Sequence, residues 1–165
     1  MNINDKKSIT DNIKRNQPFA ISFKYADQDF LMMVSGIYVK LLTVHDQLYI
    51  LNSVISIMRE VLANAQKANA KRLYFAINGL KLSIPGDYKK GMERFKLDFM
   101  YKPDELCDVL MKSDFVVNID FDITDDAISI GITNNAAVLP HEMERIRYRM
   151  EKAKIYNNLM EAYED

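Results

Sequence analysis

The sequence predicts an α+β domain of two layers, with helices packed on one face of a mixed, mainly antiparallel sheet. Three observations carry that expectation. Residues Phe19 to Tyr25 alternate large apolar with small or polar side chains, the period-two pattern of a half-buried strand. Apolar residues recur at helical spacing from Asp27 to about Val44, and a second helical pattern runs from about Asp46 to Asn69. Two strand-like runs, Phe115 to Phe121 and Ala127 to Thr133, flank the polar connection Asp122-Ile123-Thr124-Asp125-Asp126, which suits an antiparallel hairpin. A chain of 165 residues has single-domain length, and no repeat, low-complexity tract or Gly/Ser/Pro-rich linker divides it. One domain, residues 1–165, is expected.

In chain order, Met1 to Gln17 is a polar start, and the strand at 19–25 reads as an edge or first strand. Phe30, Leu31, Val34, Ile37, Tyr38, Leu41 and Leu42 form the apolar face of the first helix, and the second helix follows it directly. Lys71 to Ile77 is rich in aromatic and branched residues and stops at Asn78-Gly79, so it reads as a strand closed by a turn signal. Residues 79–112 contain Pro85-Gly86, Gly91 and Pro103 and read as an irregular insertion with one or two short helices. After the hairpin, Pro140 opens a charge-rich helix that runs towards Ala162.

Composition narrows the function classes. Lys and Arg total 22 against 23 Asp and Glu, so a net charge of −1 supplies no broad positive field, and no nucleic-acid partner is expected. Cys107 is the single cysteine, which excludes an intramolecular disulfide or a cysteine-based zinc site and suits a reducing compartment. The amino terminus lacks the apolar core of a signal peptide, and no stretch reaches ~18 uninterrupted apolar residues. The expectation is a cytoplasmic protein with no membrane partner.

The second helix is the most informative segment. At about 100° per residue, Ser53, Ser56, Glu60, Asn64 and Lys67 fall on one polar stripe, opposite Leu51, Val54, Met58, Val61, Leu62, Ala65 and Ala68. Spacing alone means only an amphipathic surface helix with a solvated face. The whole string Arg59-Glu60-Val61-Leu62-Ala63-Asn64-Ala65-Gln66-Lys67-Ala68, however, resembles the asparagine box of the GHKL superfamily. That superfamily is the ATPase fold of DNA gyrase, Hsp-type chaperones, MutL proteins and histidine kinases. Glu60, Leu62, Asn64, Ala65, Lys67 and Ala68 carry the likeness to histidine kinases. The resemblance implies the two-layer α/β sandwich of that superfamily, with ATP and Mg as cofactors. It makes Asn64 an amide-oxygen ligand of the Mg²⁺ that arrives with the nucleotide. It also makes Glu60 the catalytic carboxylate that orients or deprotonates the attacking group, and Lys67 a cation offsetting phosphate charge.

A second motif lies in Ile128-Ser129-Ile130-Gly131-Ile132-Thr133-Asn134-Asn135-Ala136-Ala137-Val138-Leu139-Pro140, followed by Glu142 and Glu144-Arg145-Ile146. It resembles the strand, Asp-x-Gly-x-Gly-Ile-Pro box and Glu-Arg-Ile helix of histidine kinases. Alignment on Pro140 and Glu144-Arg145-Ile146 puts Asn134 at the family's aspartate, and Ala136 and Val138 at its glycines. Asn134 keeps an acceptor oxygen for the adenine amino group but lacks the charge-assisted part of that bond. With Asn135 it matches the paired asparagines of a bacterial subgroup, which implies nucleotide contact at both positions. Ala136 and Val138 lack the positive-φ freedom of glycine, so the lid hinge departs from the family pattern. No glycine follows Gly131, so the family's later Gly-x-Gly phosphate segment is absent, and the resemblance implies a domain incomplete at its C-terminus that ends within the ATP lid.

His45-Asp46 is similar to the phosphoacceptor pair of histidine kinases, but it stands too close to Glu60 to leave room for a separate dimerisation hairpin. His141 has no companion at metal-ligand spacing. The reading that follows is an ATP-binding, histidine-kinase-like domain of bacterial signal transduction. It would act as a protein kinase on an unidentified signalling partner, and a homodimer stays open. The alternative is a non-catalytic GHKL-fold interaction module that binds a regulatory protein through its helix surface or the 79–112 insertion.

Overall fold

The computed structural model of the chain describes residues 3–153. Its sheet has three strands, β1 (Phe19–Phe23), β2 (Val117–Ile123) and β3 (Ile128–Asn134), in the order β1-β2-β3. Both pairings are antiparallel, so the sheet is wholly antiparallel and the mixed sheet expected from sequence is corrected. Ile21 stands opposite Ile119, and Ile119 opposite Ile132, which lines up one apolar row across all three strands. Successive side chains of a strand point to opposite faces. Val117, Ile119, Phe121 and Ile123 are therefore buried under the helices, while Asp120, Asp122, Ser129 and Thr133 are exposed on the other face. Phe19 stacks on Phe121 with ring centroids 4.5 Å apart.

Helix α1 (Ile3–Lys14), α2 (Gln28–Val44) and α3 (Leu51–Ile77) cover the apolar face. Asp27 caps α2 by accepting the Phe30 N–H at 2.7 Å. At the other end Asp46 takes a φ of 53° while the Gln47 N–H donates to the Leu42 carbonyl at 2.8 Å, a left-handed helix stop. One 3₁₀ turn, Leu48–Ile50, then leads into α3. Ile13, Val34, Leu41, Leu62, Val117 and Ile119 are fully buried between the two layers.

The segment Lys71–Ile77, expected as a strand, is the last part of the 27-residue helix α3. Packing decides the matter. Ala70, Leu73 and Tyr74 share one helical face and meet Phe95 in a small second core, whereas a strand would throw Leu73 and Tyr74 to opposite sides. Residues 79–112 are also more regular than expected. They form α4 (Pro85–Tyr101) and α5 (Pro103–Lys112), each opened by a proline in its first turn, where the missing N–H costs nothing. The polar start contains α1, anchored by the fully buried Ile13. The strand expected at 19–25 stops at Phe23, and the hairpin strands sit one or two residues later than expected. The final helix, α6, spans Pro140–Ala153, and its expected continuation to Ala162 lies outside the described residues. No helix among the described residues is long and apolar enough to cross a membrane.

Candidate functional site

Ser53, Ser56, Glu60, Asn64 and Lys67 all emerge on the exposed side of α3, as the stripe predicts. Asn64 Nδ2 donates to Glu60 Oε1 at 3.0 Å, an i,i+4 bond that turns the amide nitrogen towards the carboxylate. The Asn64 oxygen makes no hydrogen bond among the described residues. Lys67 stands one turn further on and makes no ion pair among the described residues.

The inner side of α3 carries polar groups of its own. Gln66 Oε1 accepts the Ala26 N–H at 2.8 Å. Asn69 is fully buried, and its Nδ2 donates to the Val116 carbonyl at 3.2 Å, which fixes its oxygen towards the end of β3. That oxygen accepts from Asn134 Nδ2 at 3.1 Å, and the same Asn134 nitrogen donates to the Ala65 carbonyl at 3.2 Å. Asn134 is thus seated on the turn of α3 adjacent to Asn64, with its donors used and no bond to its oxygen among the described residues. The arrangement accounts for an asparagine here. An aspartate would set a carboxylate oxygen against two acceptor oxygens with no proton between them.

Asn135 has a different task. Its Oδ1 accepts the Val116 N–H at 2.9 Å and its Nδ2 donates to the Asp114 carbonyl at 2.8 Å. Both ends of the amide sew the chain entering β2 to the chain leaving β3. Asn135 is exposed, but both ends of its amide are used in holding Asn134 in position.

The loop beyond reaches α6, which is tied to α3 by one buried carboxylate. Glu142 receives Lys71 Nζ and Arg72, and its Oε2 also accepts the Leu139 N–H at 3.1 Å. Side-chain exposure is 13% for Lys71, 12% for Arg72 and 9% for Glu142. Burial alone would raise the Glu142 carboxyl, but the Arg72, Lys71 and Leu139 hydrogen bonds and the Lys71 charge hold it down to about 2. Arg72 also donates to the Ala137 carbonyl at 2.7 Å, so the loop as well as the helix is fastened to α3.

The sequence pattern assigns no role to Asn69, Lys71 or Arg72 and takes Glu142 only as part of the second motif, though signals existed. Asn69 interrupts an apolar helix face, which marks a buried polar group in need of partners. Glu142 is the third residue of a helix opened by Pro140, where a carboxylate reaches back to the N-cap N–H. His141 meets Tyr88 edge-on with centroids 5.4 Å apart, a packing contact. Among the described residues no group of three His, Cys, Asp or Glu side chains could hold a metal ion. An ion arriving on nucleotide phosphates and keeping its waters needs only one or two protein oxygens, and the free oxygen of Asn64 fits that demand.

No family model matches the chain, and no solved structure matches it. It is 27% identical over 158 residues to an uncharacterized protein of Treponema pallidum (strain Nichols), a match covering 96% of this chain and 31% of that protein. The chain thus spans just under a third of that relative's length.

Proposed function

We propose that this chain is a nucleotide-binding domain of the histidine-kinase type, taking Mg-ATP where the turn of α3 that bears Asn64 and Ala65 meets the segment from Asn134 to Glu142. One observation carries the reading: Asn134 is hydrogen-bonded directly to Asn69 and Ala65, across 65 and 69 residues of sequence. Two motifs that resemble the halves of one nucleotide pocket are thereby in contact. The free oxygen of Asn134 accepts the adenine amino group, and the free oxygen of Asn64 serves the magnesium ion. That ion, when bound, neutralises charge on the transferring phosphoryl group. Lys67 offsets phosphate charge, Glu60 orients or deprotonates the attacking group, and Asn135 positions Asn134. Acting as a kinase, the domain modifies a signalling partner.

Calorimetric titration of Mg-ATP into the chain, beside Asn64→Ala, tests the proposal. Binding that disappears with Asn64→Ala supports it. Absence of binding, or binding indifferent to Asn64→Ala, overturns it.

The second reading, a non-catalytic interaction module, is favoured by one feature. Ile57 is 63% and Val61 39% exposed beside Ile130 and Ile132, in an apolar groove along the uncharged edge strand β3. Such edges accept an added strand.

A further inference from the structure

Strand β3 ends the sheet, and its outer edge pairs with no strand among the described residues. The phase of the ladder decides which groups that edge offers. The Thr124 N–H donates to the Ala127 carbonyl at 2.9 Å and the Asn135 N–H to the Val116 carbonyl at 3.3 Å. In an alternating antiparallel ladder, Ser129, Gly131 and Thr133 are then the residues of β3 bonded to β2. Ile128, Ile130, Ile132 and Asn134 aim their N–H and C=O groups outward.

Soluble proteins guard a free edge with short length, charge, proline or a bulge. The opposite edge is guarded in this way: β1 has 5 residues, with Pro18 before it and Lys24 after it. Strand β3 has 7 residues in unbroken register, with neither charge nor proline. Ile57 and Val61 of α3 stand exposed beside Ile130 and Ile132 in one open groove along it.

The edge is chemically alike in both directions about Gly131, with Ile130 and Ile132 next to it and Ser129 and Thr133 beyond. On a twofold axis through Gly131, Ile130 meets Ile132 of the second copy and Ser129 meets its Thr133. Outward-pointing groups then fall opposite outward-pointing groups, and no charge on the strand meets its like. Such self-complementarity is what an isologous contact requires. A strand about 24 Å long in a layer pair about 20 Å deep covers on the order of 500 Å² per copy, about 1,000 Å² in all, the lower end of a specific interface.

We propose that the chain associates with a second copy of itself through β3, the two sheets joining antiparallel about Gly131 while Ile57 and Val61 of each copy close over the seam. The contact is weak and reversible, as its area dictates. It does not rest on nucleotide binding, so it should be present without ATP, and its failure leaves the nucleotide reading untouched.

Sedimentation equilibrium of the chain from about 1 μM to about 1 mM, without nucleotide, tests the proposal. The mass should rise from one chain to two and no further. Amide exchange at Ile130 and Ile132 should slow as the dimer forms, while Gly131, whose N–H faces β2, stays unchanged. Ser129→Lys with Thr133→Lys, both on the exposed face, sets lysine opposite lysine and should weaken association about tenfold. Ser129→Lys with Thr133→Glu sets lysine opposite glutamate in this register alone and should hold association within about threefold of wild type. A monomer at about 1 mM, assemblies larger than two chains, unchanged exchange at Ile130 and Ile132, or equal effects of the two double variants overturns the proposal.

Discussion

Replacement of Glu142 by glutamine removes the one charge that neutralises Lys71 and Arg72 beneath α6. The magnitude can be worked from the carboxyl itself. Its folded value of about 2 lies well below the ordinary 4.5, and at 1.36 kcal/mol per tenfold change the surroundings of the carboxylate, burial, cations and the Leu139 N–H together, contribute about 3 kcal/mol net. A second route agrees. Leaving a nearly buried cation without its partner costs about 3–5 kcal/mol, and both cations here are almost fully covered. The sign with pH follows from a depressed carboxyl. The contribution is complete above about 4.5 and is lost as pH falls towards about 2. Urea unfolding followed by circular dichroism at pH 7 and pH 3 reads both quantities, and amide exchange of residues 136–153 reports whether α6 is the part released. Glu142→Gln should lose about 3 kcal/mol at pH 7 and show a flatter dependence on pH below 4.5. A variant within about 0.5 kcal/mol of wild type, with α6 equally protected and the same acid slope, would refute the reasoning.

Three further outcomes can be measured on the same material. Asn134→Asp, which restores the charge of the family motif, should destabilise the chain by about 2 kcal/mol in urea, because it faces the Asn69 and Ala65 oxygens. Asn69→Ala should cost about 1–3 kcal/mol by removing one hydrogen bond each from the Val116 carbonyl and the Asn134 amide and emptying a fully buried site, with amide exchange rising around 116 and 134. Gly91→Ala places a Cβ 2.4 Å from the ring of Phe75, itself 1% exposed, and should lower thermal stability by about 1–3 kcal/mol without changing the α3 stripe.

Much of the first core was legible because its pattern is strong. The helical face from Phe30 to Leu42 and the alternation of β2 and β3 each state one period clearly, and both elements formed within a few residues of expectation. The helix α1 was missed because few apolar residues, among them Ile9 and Ile13, mark its inner side. Lys71 to Ile77 misled for the opposite reason. Its aromatic and branched residues suit a strand locally, and only α4 and α5, remote in sequence, reward the helical alternative. Pro85 and Pro103 were read as interruptions when they are first-turn residues of two helices. At the candidate site, the exposed stripe of Glu60, Asn64 and Lys67 was readable from angular spacing. The partners of Asn134 and Glu142 were not, since hydrogen bonds across 65 to 71 residues leave no local periodicity.

Helix α3 belongs to both apolar clusters: Met58 and Leu62 lie in the larger one, and Ala70 in the smaller one formed with Phe95 and Leu110. At 1.5 Å per residue it is a rod about 40 Å long. The two cores are therefore fused along one backbone instead of being joined by a linker. Loss of the small cluster frays one end of the rod and leaves the sheet half standing, whereas a break near its middle uncouples the halves at once. Cooperativity in this domain is a property of one helix's continuity, and the turn bearing Asn64 lies at the seam.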